Sequence, residues 1–389
     1  MADKLDEILN SWAMGRNVLL YGPPATGKTR LISELFQALN KPPQSSRGIL
    51  LDPSESGTPF SRPTQEIPIP QPTKVVWATF HQSFGYEDFV LGLRPEVSSE
   101  GTRLRPWAGI FLDAALELAD PDSEYKSVVI FIDEINRGNA ARIFGEFMTF
   151  LDFDYREGGR STLPLPLRQL AYKDSRSEKV FRPVGKEAEI PEGFTFPKDI
   201  YIVSTMNSVD RAAVPIDSAL ARRFDRIEMR PSLDALANHW GIDESTILES
   251  IEGDRDSLNP LVTGYLLLDK LNIAIASDLG AEFELGHGLL TSIQAYETST
   301  DGKEENDAWR RLAITWDDII FPQLEDRYSG RPEQLLNLLR VDSAPPTGDY
   351  AWNYRTSLGS SISARTLAPV RVNELNIEVI KRSFRWLTG

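Results

Sequence analysis

Short apolar runs alternate with helical patterns over residues 1–232 of the chain. An apolar run without alternation is typical of a strand that is buried on both faces, and the helices between such strands cover the sheet. The pattern therefore predicts an α/β fold in which helices flank a parallel β-sheet. The candidate strands are Val18–Tyr21, Val75–Thr79, Val128–Asp133, Ile200–Thr205 and Phe224–Met229.

Two stretches interrupt this pattern, and a different, helical pattern follows it. Residues 41–73 are rich in Pro, Ser and Gln and predict a long surface loop, whereas residues 154–198 predict a hairpin-bearing insertion. From Leu233 the pattern is helical and carries no strand signal. The predicted units are an α/β core over residues 1–232, an all-α domain over 233–340 and a C-terminal extension over 341–389 that ends in a helix, Asn373–Leu387.

Composition narrows the class of protein. Among 389 residues, 57 are acidic and 42 are basic, a net charge of −15. A broad nucleic-acid-binding face is therefore not expected, because phosphate binding depends on clustered Lys and Arg. With no cysteine, the chain has no disulfide, thiolate metal site or cysteine nucleophile. No run of 18 apolar residues and no signal-peptide pattern occur, so we expect a cytoplasmic protein without a membrane partner.

A phosphate-binding loop lies between the first predicted strand and a helical stretch, Thr29–Leu39. Glycine allows close approach of the backbone, so that consecutive N–H groups and the helix N-terminus can face a phosphate. Lys28 supplies a cation to the β- and γ-phosphates, and Thr29 supplies a hydroxyl to Mg²⁺. The loop predicts binding of a nucleoside triphosphate, GTP or ATP, by Gly22, Pro23, Pro24, Ala25, Thr26, Gly27, Lys28 and Thr29.

Two acidic residues follow the third predicted strand, which is a continuous apolar run. Asp133 stands at the carboxyl end of that strand, where a Walker B aspartate holds Mg²⁺ beside Thr29. Glu134 can then polarise a water for in-line attack on the γ-phosphate. We expect Thr29 and Asp133 to be the metal ligands and Glu134 to be the catalytic base.

Polar residues after the last two strands add further candidates. Asn207 ends the fourth strand and either holds the attacking water as a sensor or closes the strand as a turn residue. Arg222 and Arg223 end a short helical segment that begins at Asp217. They are either partners of the helix dipole or arginine fingers that reach the γ-phosphate of a neighbouring subunit. Spacing alone does not choose between these roles.

Several segments together resemble the McrB-like branch of the AAA+ superfamily, the GTPase motor of modified-cytosine-dependent restriction systems. The similarity extends over about residues 5–340, well beyond the phosphate loop. The segments that carry it are Thr79–Phe89 with Gly92–Pro95, Phe131–Asn139 around the acidic pair, the signature-like MNSVDR at Met206–Arg211, FELGHG at Phe283–Gly288 and IIFPQLE at Ile319–Glu325.

The resemblance implies an AAA+ P-loop NTPase core with an all-α lid, assembled as a homo-hexamer with nucleotide between subunits. It places Asn207, Asp210 and Arg211 on the signature tied to nucleotide recognition and hydrolysis. It places Asp217, Arg222 and Arg223 on elements that act across the subunit interface. It also implies GTP as the nucleotide, a separate McrC-like nuclease subunit as the partner, and contact with DNA through the assembled complex.

Three features depart from the family pattern. Ala25 stands where the family usually has Gly, and the signature has SerValAsp where ThrAlaAsp is usual. Only some 16 residues precede the first strand, so we expect no N-terminal DNA-reading domain in this chain. Arg137, directly after the acidic pair, either contacts a neighbouring chain or forms a surface salt bridge.

Two other functions remain open at this point. One is an ATP-driven remodelling protein that resembles the MoxR branch, with which the chain shares the stretch from Asp133 to Arg137. The other is a non-enzymatic scaffold that binds nucleotide only to assemble. Nucleotide competition separates the first alternative from a GTPase, and phosphate release excludes the second.

Overall fold

The computed structural model describes residues 2–40, 66–98, 101–166, 177–210, 214, 216–294, 303–343, 350–358 and 363–389. Its contacts divide the chain into two compact units. The first contains Met1–Tyr21 and Lys28–Glu228, and the second contains Gly22–Gly27 and Met229–Gly389. Arg211 and most of the predicted loop over residues 41–73 lie outside the described residues.

The first unit contains a five-stranded sheet and a separate four-stranded sheet. Its strands are β1 (Asn17–Gly22), β2 (Thr73–Thr79), β3 (Leu91–Ser98), β4 (Gly101–Ala108), β5 (Ser127–Asp133), β6 (Ser177–Phe181), β7 (Glu187–Pro191), β8 (Ile200–Asn207) and β9 (Phe224–Glu228). Its α-helices are α1 (Ala2–Ala13), α2 (Lys28–Leu39), α3 (Tyr86–Phe89), α4 (Ile110–Ala119), α5 (Ala140–Phe144) and α6 (Ser218–Ala221).

The five-stranded sheet has the order β2-β5-β8-β1-β9, with parallel pairing of β2 with β5, β5 with β8 and β1 with β9. Its strands are the five that the apolar runs predict, each with bounds shifted by at most two residues. Val128–Ile132 of β5 is fully buried, as expected for a strand between two neighbours and under helices on both faces. The predicted α/β fold with a helix-flanked parallel sheet is confirmed.

The four-stranded sheet has the order β3-β4-β6-β7. Its β6–β7 hairpin falls in the insertion at residues 154–198, whereas the β3–β4 hairpin was not predicted. A buried guanidinium fastens this sheet to α4: Arg182 Nε lies 2.7 Å from Asp113 Oδ1, and Nη2 lies 2.6 Å from Glu117 Oε2. Since the Arg182 side chain is only 3% exposed, these carboxylates supply the charge pairing that its burial requires.

The second unit is helical up to residue 343 in its described part. Its helices are α7 (Leu233–Trp240), α8 (Glu244–Glu252), α9 (Pro260–Asp278), α10 (Lys303–Thr315), α11 (Phe321–Arg327), α12 (Pro332–Leu338) and α13 (Ile377–Thr388). An antiparallel hairpin, β10 (Tyr354–Leu358) and β11 (Ser363–Leu367), lies between the last two.

The C-terminal segment packs into the same core as these helices. Trp316 contacts Trp352 at a ring-centroid distance of 5.0 Å and Phe384 at 5.6 Å. The buried carboxylate of Asp317 accepts the backbone N–H of Val372 at 3.1 Å. The described residues after 341 therefore pack with the helices of the second unit. In the described part of the chain, no helix is both long and apolar enough to cross a bilayer.

Candidate functional site

The loop between β1 and α2 contains two glycines with positive φ. Gly22 has φ +151°, and a Cβ there would stand 2.2 Å from Met229 O, so no side chain fits. Gly27, with φ +87°, directly precedes α2. Between them the buried Thr26 hydroxyl donates to Pro23 O at 3.0 Å and ties the loop to itself. The segment thus has the glycine geometry that a phosphate-binding loop requires.

Ala25 is the one residue of this loop that is not glycine and has positive φ, at 60°. A left-handed backbone costs energy for a residue with a Cβ, whereas the glycine that is usual in the family would adopt it without strain. Ala25 O accepts the backbone N–H of Gly288 at 2.8 Å. A Cβ on Gly286 would lie 2.3 Å from the Ala25 carbonyl carbon, so this glycine allows close backbone contact. His287 lies between the two glycines and is buried. Its Nδ1 accepts the backbone N–H of Ser232, which is a structural contact.

Lys28 begins α2 and is only 7% exposed. Burial lowers the pKa of its ammonium to about 8, against the opposing effect of the nearby Glu134 and Asp133 carboxylates. A nearby anion favours the charged form of a buried amine. A bound phosphate would therefore stabilise the Lys28 ammonium against the effect of burial. Thr29, the second residue of α2, is exposed.

Asp133 and Glu134 lie beside the carboxyl end of β8, which adjoins β5 in the sheet. Thr205 Oγ1 donates to Asp133 Oδ1 at 2.6 Å and accepts the backbone N–H of Glu134 at 3.0 Å. One hydroxyl therefore orients the carboxylate of Asp133 and the backbone of Glu134 together. Open α/β sheets bind ligands at this end of their strands.

Asn207 and Asp210 extend this cluster. The Asn207 amide donates from Nδ2 to Glu134 Oε1. Arg137 lies between two carboxylates, with Nε 3.4 Å from Glu134 Oε2 and Nη2 3.0 Å from Asp210 Oδ2. Asn136 donates to Asn207 O at 3.1 Å, so the turn after β5 is joined to the end of β8. The cluster brings together five residues that the sequence singles out: Asp133, Glu134, Arg137, Asn207 and Asp210.

Glu134 combines a strained backbone with a partly desolvated carboxylate. Its φ of 54° and ψ of 50° are left-handed, which is uncommon for a residue with a Cβ. Burial raises the pKa of its carboxyl group, the Arg137 guanidinium lowers it, and the Asp133 charge raises it again. A carboxylate with raised proton affinity, next to an amide donor, has the properties of a general base.

The two adjacent arginines have different surroundings. Arg223 Nε lies 2.9 Å from Asp152 Oδ2, and Nη1 donates to Ala219 O at 2.7 Å, with the side chain 11% exposed. Arg222 is exposed, and its guanidinium has no ion pair within the described ranges. Asp217 caps α6 by accepting the N–H of Ala219 at 3.0 Å. Arg223 and Asp217 thus have intrachain structural roles, while the Arg222 side chain is directed to solvent.

Arg222 lines an open depression of about 600 Å³. Arg16 and Arg226 also line it; Arg16 Nε donates to Asp225 Oδ1 at 3.1 Å, and the Arg226 guanidinium lies 4.5 Å from the Tyr21 ring centroid. This surface has three arginines and one carboxylate, which is unusual for a chain with a net charge of −15.

Comparison with known proteins finds an AAA domain in the chain and relatives that are restriction-enzyme subunits. Residues 69–224 match the model of the AAA domain of the dynein-related subfamily. The chain is 27% identical over 337 residues to the McrB subunit of a type IV methyl-directed restriction enzyme from Escherichia coli K12, a match that covers 84% of the chain. The chain therefore contains an AAA domain and is similar to the McrB subunit over most of its length. The predicted family resemblance is confirmed.

A second relative of this McrB-like protein is the YdiS component of the type II restriction enzyme BsuMI from Bacillus subtilis 168. The two are 24% identical over 217 residues, or 55% of the chain. The McrB-like chain spans 57% of the length of each of these two relatives. Both relatives are thus described as parts of restriction enzymes.

Sequence reasoning missed Thr205 in the McrB-like site. A signal for it exists, because side chains two apart in a strand share a face and Thr205 precedes Asn207 by two positions. The residue type alone does not indicate this role, because Thr is common in strands that have no function beyond the sheet. Arg211 and the residues directly after it lie outside the described part of the signature.

Proposed function

We propose that this chain is the GTP-hydrolysing motor subunit of a restriction or antiphage system and drives a McrC-like nuclease partner. The observation that carries the proposal is the cluster in which Thr205 orients Asp133 while Asn207 donates to Glu134. It supplies a metal-binding carboxylate, a base and an amide at one end of the sheet, beside the partly desolvated Lys28. The relatives' descriptions as restriction-enzyme parts support the biological setting.

The proposed chemistry is phosphoryl transfer to water, through positioning and charge stabilisation. The loop Gly22–Thr29 binds the triphosphate with its backbone N–H groups, and Lys28 neutralises charge on it. The hydroxyl of Thr29 and the carboxylate of Asp133 are hard oxygen donors, which fit Mg²⁺ and would let it offset phosphate charge when bound. Glu134 accepts the proton of the attacking water, which Asn207 helps to hold.

The proposed assembly is a homo-hexamer in which Arg222 completes the site of the adjacent subunit. Support comes from the exposed guanidinium of Arg222, which has no ion pair among the described residues, in contrast to the ion-paired Arg223. Mixing Arg222→Ala chains with Glu134→Gln chains tests this. Each variant alone should be inactive, whereas the mixture should regain turnover at interfaces that join an intact Arg222 to an intact Glu134. If the mixture stays inactive under conditions in which the two variants co-assemble, the shared site is refuted.

The proposed substrate is GTP, and DNA is engaged through the assembled complex. Initial rates of GTP and ATP hydrolysis, with and without the product of the neighbouring gene, test the nucleotide and the partner together. GTP turnover should exceed ATP turnover and should rise when a nuclease subunit is added. If ATP outcompetes GTP, the chain is instead an ATP-driven remodelling protein of the MoxR-like kind.

Two variants show whether the assigned site performs the hydrolysis. Lys28→Ala should abolish nucleotide binding, because it removes the cation of the phosphate loop. Glu134→Gln should bind nucleotide and assemble without turnover, because an amide cannot accept the proton. Tight GTP binding by the first variant or normal turnover by the second contradicts the assignment.

A further inference from the structure

Each carboxylate oxygen of Glu134 faces a donor side chain. Oε1 accepts the amide of Asn207, and Oε2 faces Nε of Arg137 at 3.4 Å. Oε2 has almost no solvent-accessible surface and accepts no hydrogen bond from the described residues, so its contact with Arg137 is an ion pair only. A general base must present a carboxylate oxygen to the water that it deprotonates. In this arrangement one oxygen is shared with an amide donor and the other is turned towards a cation.

Arg137 is itself held at its other end. Its Nη2 lies 3.0 Å from Asp210 Oδ2, so the guanidinium bridges the carboxylates of Glu134 and Asp210. Arg137 is the last residue of the short turn Ile135–Arg137 after β5, and Asp210 follows β8. The bridge therefore connects the base to the segment that ends the signature-like stretch Met206–Arg211.

The bridge is placed where another chain can reach it. The Arg137 side chain is 53% exposed, whereas those of Glu134 and Asp210 are 20% and 17% exposed. A half-exposed ion pair is weak, because water competes with it. An acidic group offered by an adjoining chain could draw Arg137 away without disturbing the sheet.

We propose that Arg137 is a positioning residue that holds Glu134 in a resting orientation, and that hydrolysis accelerates when Arg137 leaves the carboxylate. This inference rests on the proposed function, because it assumes that Glu134 is the base. It predicts slow turnover by the chain alone, because one oxygen of the base accepts from Asn207 and the other is paired with Arg137. It also names the contact that an activating chain must break.

The test measures kcat and KM for GTP and ATP in the full chain. Arg137→Gln should raise kcat by about two- to five-fold, the change expected from loss of one exposed ion pair, and should leave KM unchanged. Arg137→Lys keeps one charge but cannot bridge both carboxylates, so its kcat should fall between those of wild type and Arg137→Gln. Arg142→Gln, which removes another exposed arginine, on α5, is the control and should leave both constants unchanged.

The outcomes separate this inference from the proposed function. The double variant Arg137→Gln/Glu134→Gln should be inactive, because the gain acts through Glu134. If wild type hydrolyses nucleotide and Glu134→Gln does not, but Arg137→Gln and Arg137→Lys are no faster than wild type, the inference fails alone. If wild type and both Arg137 variants, all with unchanged thermal unfolding, release no phosphate from GTP or ATP, both the inference and the proposed function fail.

Discussion

The Thr205 hydroxyl donates to the Asp133 carboxylate at 2.6 Å, between the ends of two adjoining strands. The same hydroxyl accepts the N–H of Glu134, a residue with a left-handed backbone. Thr205 therefore fixes both acidic residues without itself being acidic. A side chain that acts only through these two neighbours should affect turnover more than nucleotide binding.

Thr205→Val should lower kcat by roughly 10- to 100-fold, since a lost hydrogen bond to a charged group costs about 1.5–3 kcal/mol. Valine keeps the branched shape, so the strand should remain packed. Steady-state phosphate release and a fluorescent-nucleotide titration measure the two effects separately. Thr205→Ser keeps the hydroxyl and should retain most of the activity. Wild-type turnover in Thr205→Val would show that the two hydrogen bonds have no catalytic consequence.

The different surroundings of Arg222 and Arg223 predict different defects. Arg222→Ala should leave thermal unfolding unchanged and reduce turnover by about 10³-fold or more, as loss of an arginine finger does. Arg223→Ala should instead lower the free energy of unfolding by about 1 kcal/mol, because it breaks the ion pair with Asp152 and the bond to Ala219 O.

Calorimetry and turnover assays on both variants check this pair of predictions. The assembled state should be confirmed for each variant, so that loss of activity is not loss of the oligomer. An active Arg222→Ala together with an inactive but stable Arg223→Ala would reverse the assignment.

The positive φ of Ala25 is predicted to reduce the free energy of unfolding slightly. A left-handed residue with a Cβ is disfavoured by about 1–2 kcal/mol, partly offset in an Ala→Gly change by the greater entropy of the unfolded chain. Ala25→Gly should therefore raise the unfolding temperature slightly or leave it unchanged. Ala115→Gly, in the interior of α4, should lower the free energy of unfolding by about 1 kcal/mol. Equal destabilisation by the two changes would mean that the positive φ of Ala25 carries no strain.

Local sequence patterns determine much of this fold but not all of the site. The apolar runs of the five-stranded sheet were readable because burial on both faces leaves no polar position, as in Val128–Ile132. The β3–β4 hairpin was missed because its strands are interrupted by prolines and carry exposed leucines, Leu93 at 59% and Leu104 at 65% exposure. Such a strand pair has no simple alternation of apolar and polar positions.

Roles that depend on distant residues could not be predicted in the same way. Arg222 and Arg223 are equivalent in sequence, and the contact of Arg223 with Asp152, 71 positions away, could not be foreseen from it. The sequence likewise allows either an interchain contact or a surface salt bridge for Arg137. Its ion pairs with Glu134 and Asp210 are visible only in the structure. The motifs located the site, while tertiary contacts distinguish side chains that are held from those that are free.

The pairing of Arg182 with α4 predicts a pH-dependent contribution to stability. Burial alone would raise the pKa of Glu117, but hydrogen bonds from Lys74, Ser123 and Arg182 outweigh it and lower the pKa to about 2. In the unfolded chain the same carboxyl titrates near 4.5. A carboxyl with a lowered folded-state pKa stabilises the fold above its unfolded pKa. That contribution is lost as the pH falls from about 4.5 to about 2.

Glu117→Gln should therefore lower the free energy of unfolding at pH 7, and the difference from wild type should shrink steadily below about pH 4.5. Denaturant unfolding at pH 7, 4 and 3 measures this difference. Glu124→Gln, which removes one charge from an exposed side chain a few residues away, controls for the change in net charge. A difference that stays constant across this range would mean that Glu117 contributes through packing. The bonds to Lys74 and Arg182 would then not be the source of its stabilising effect.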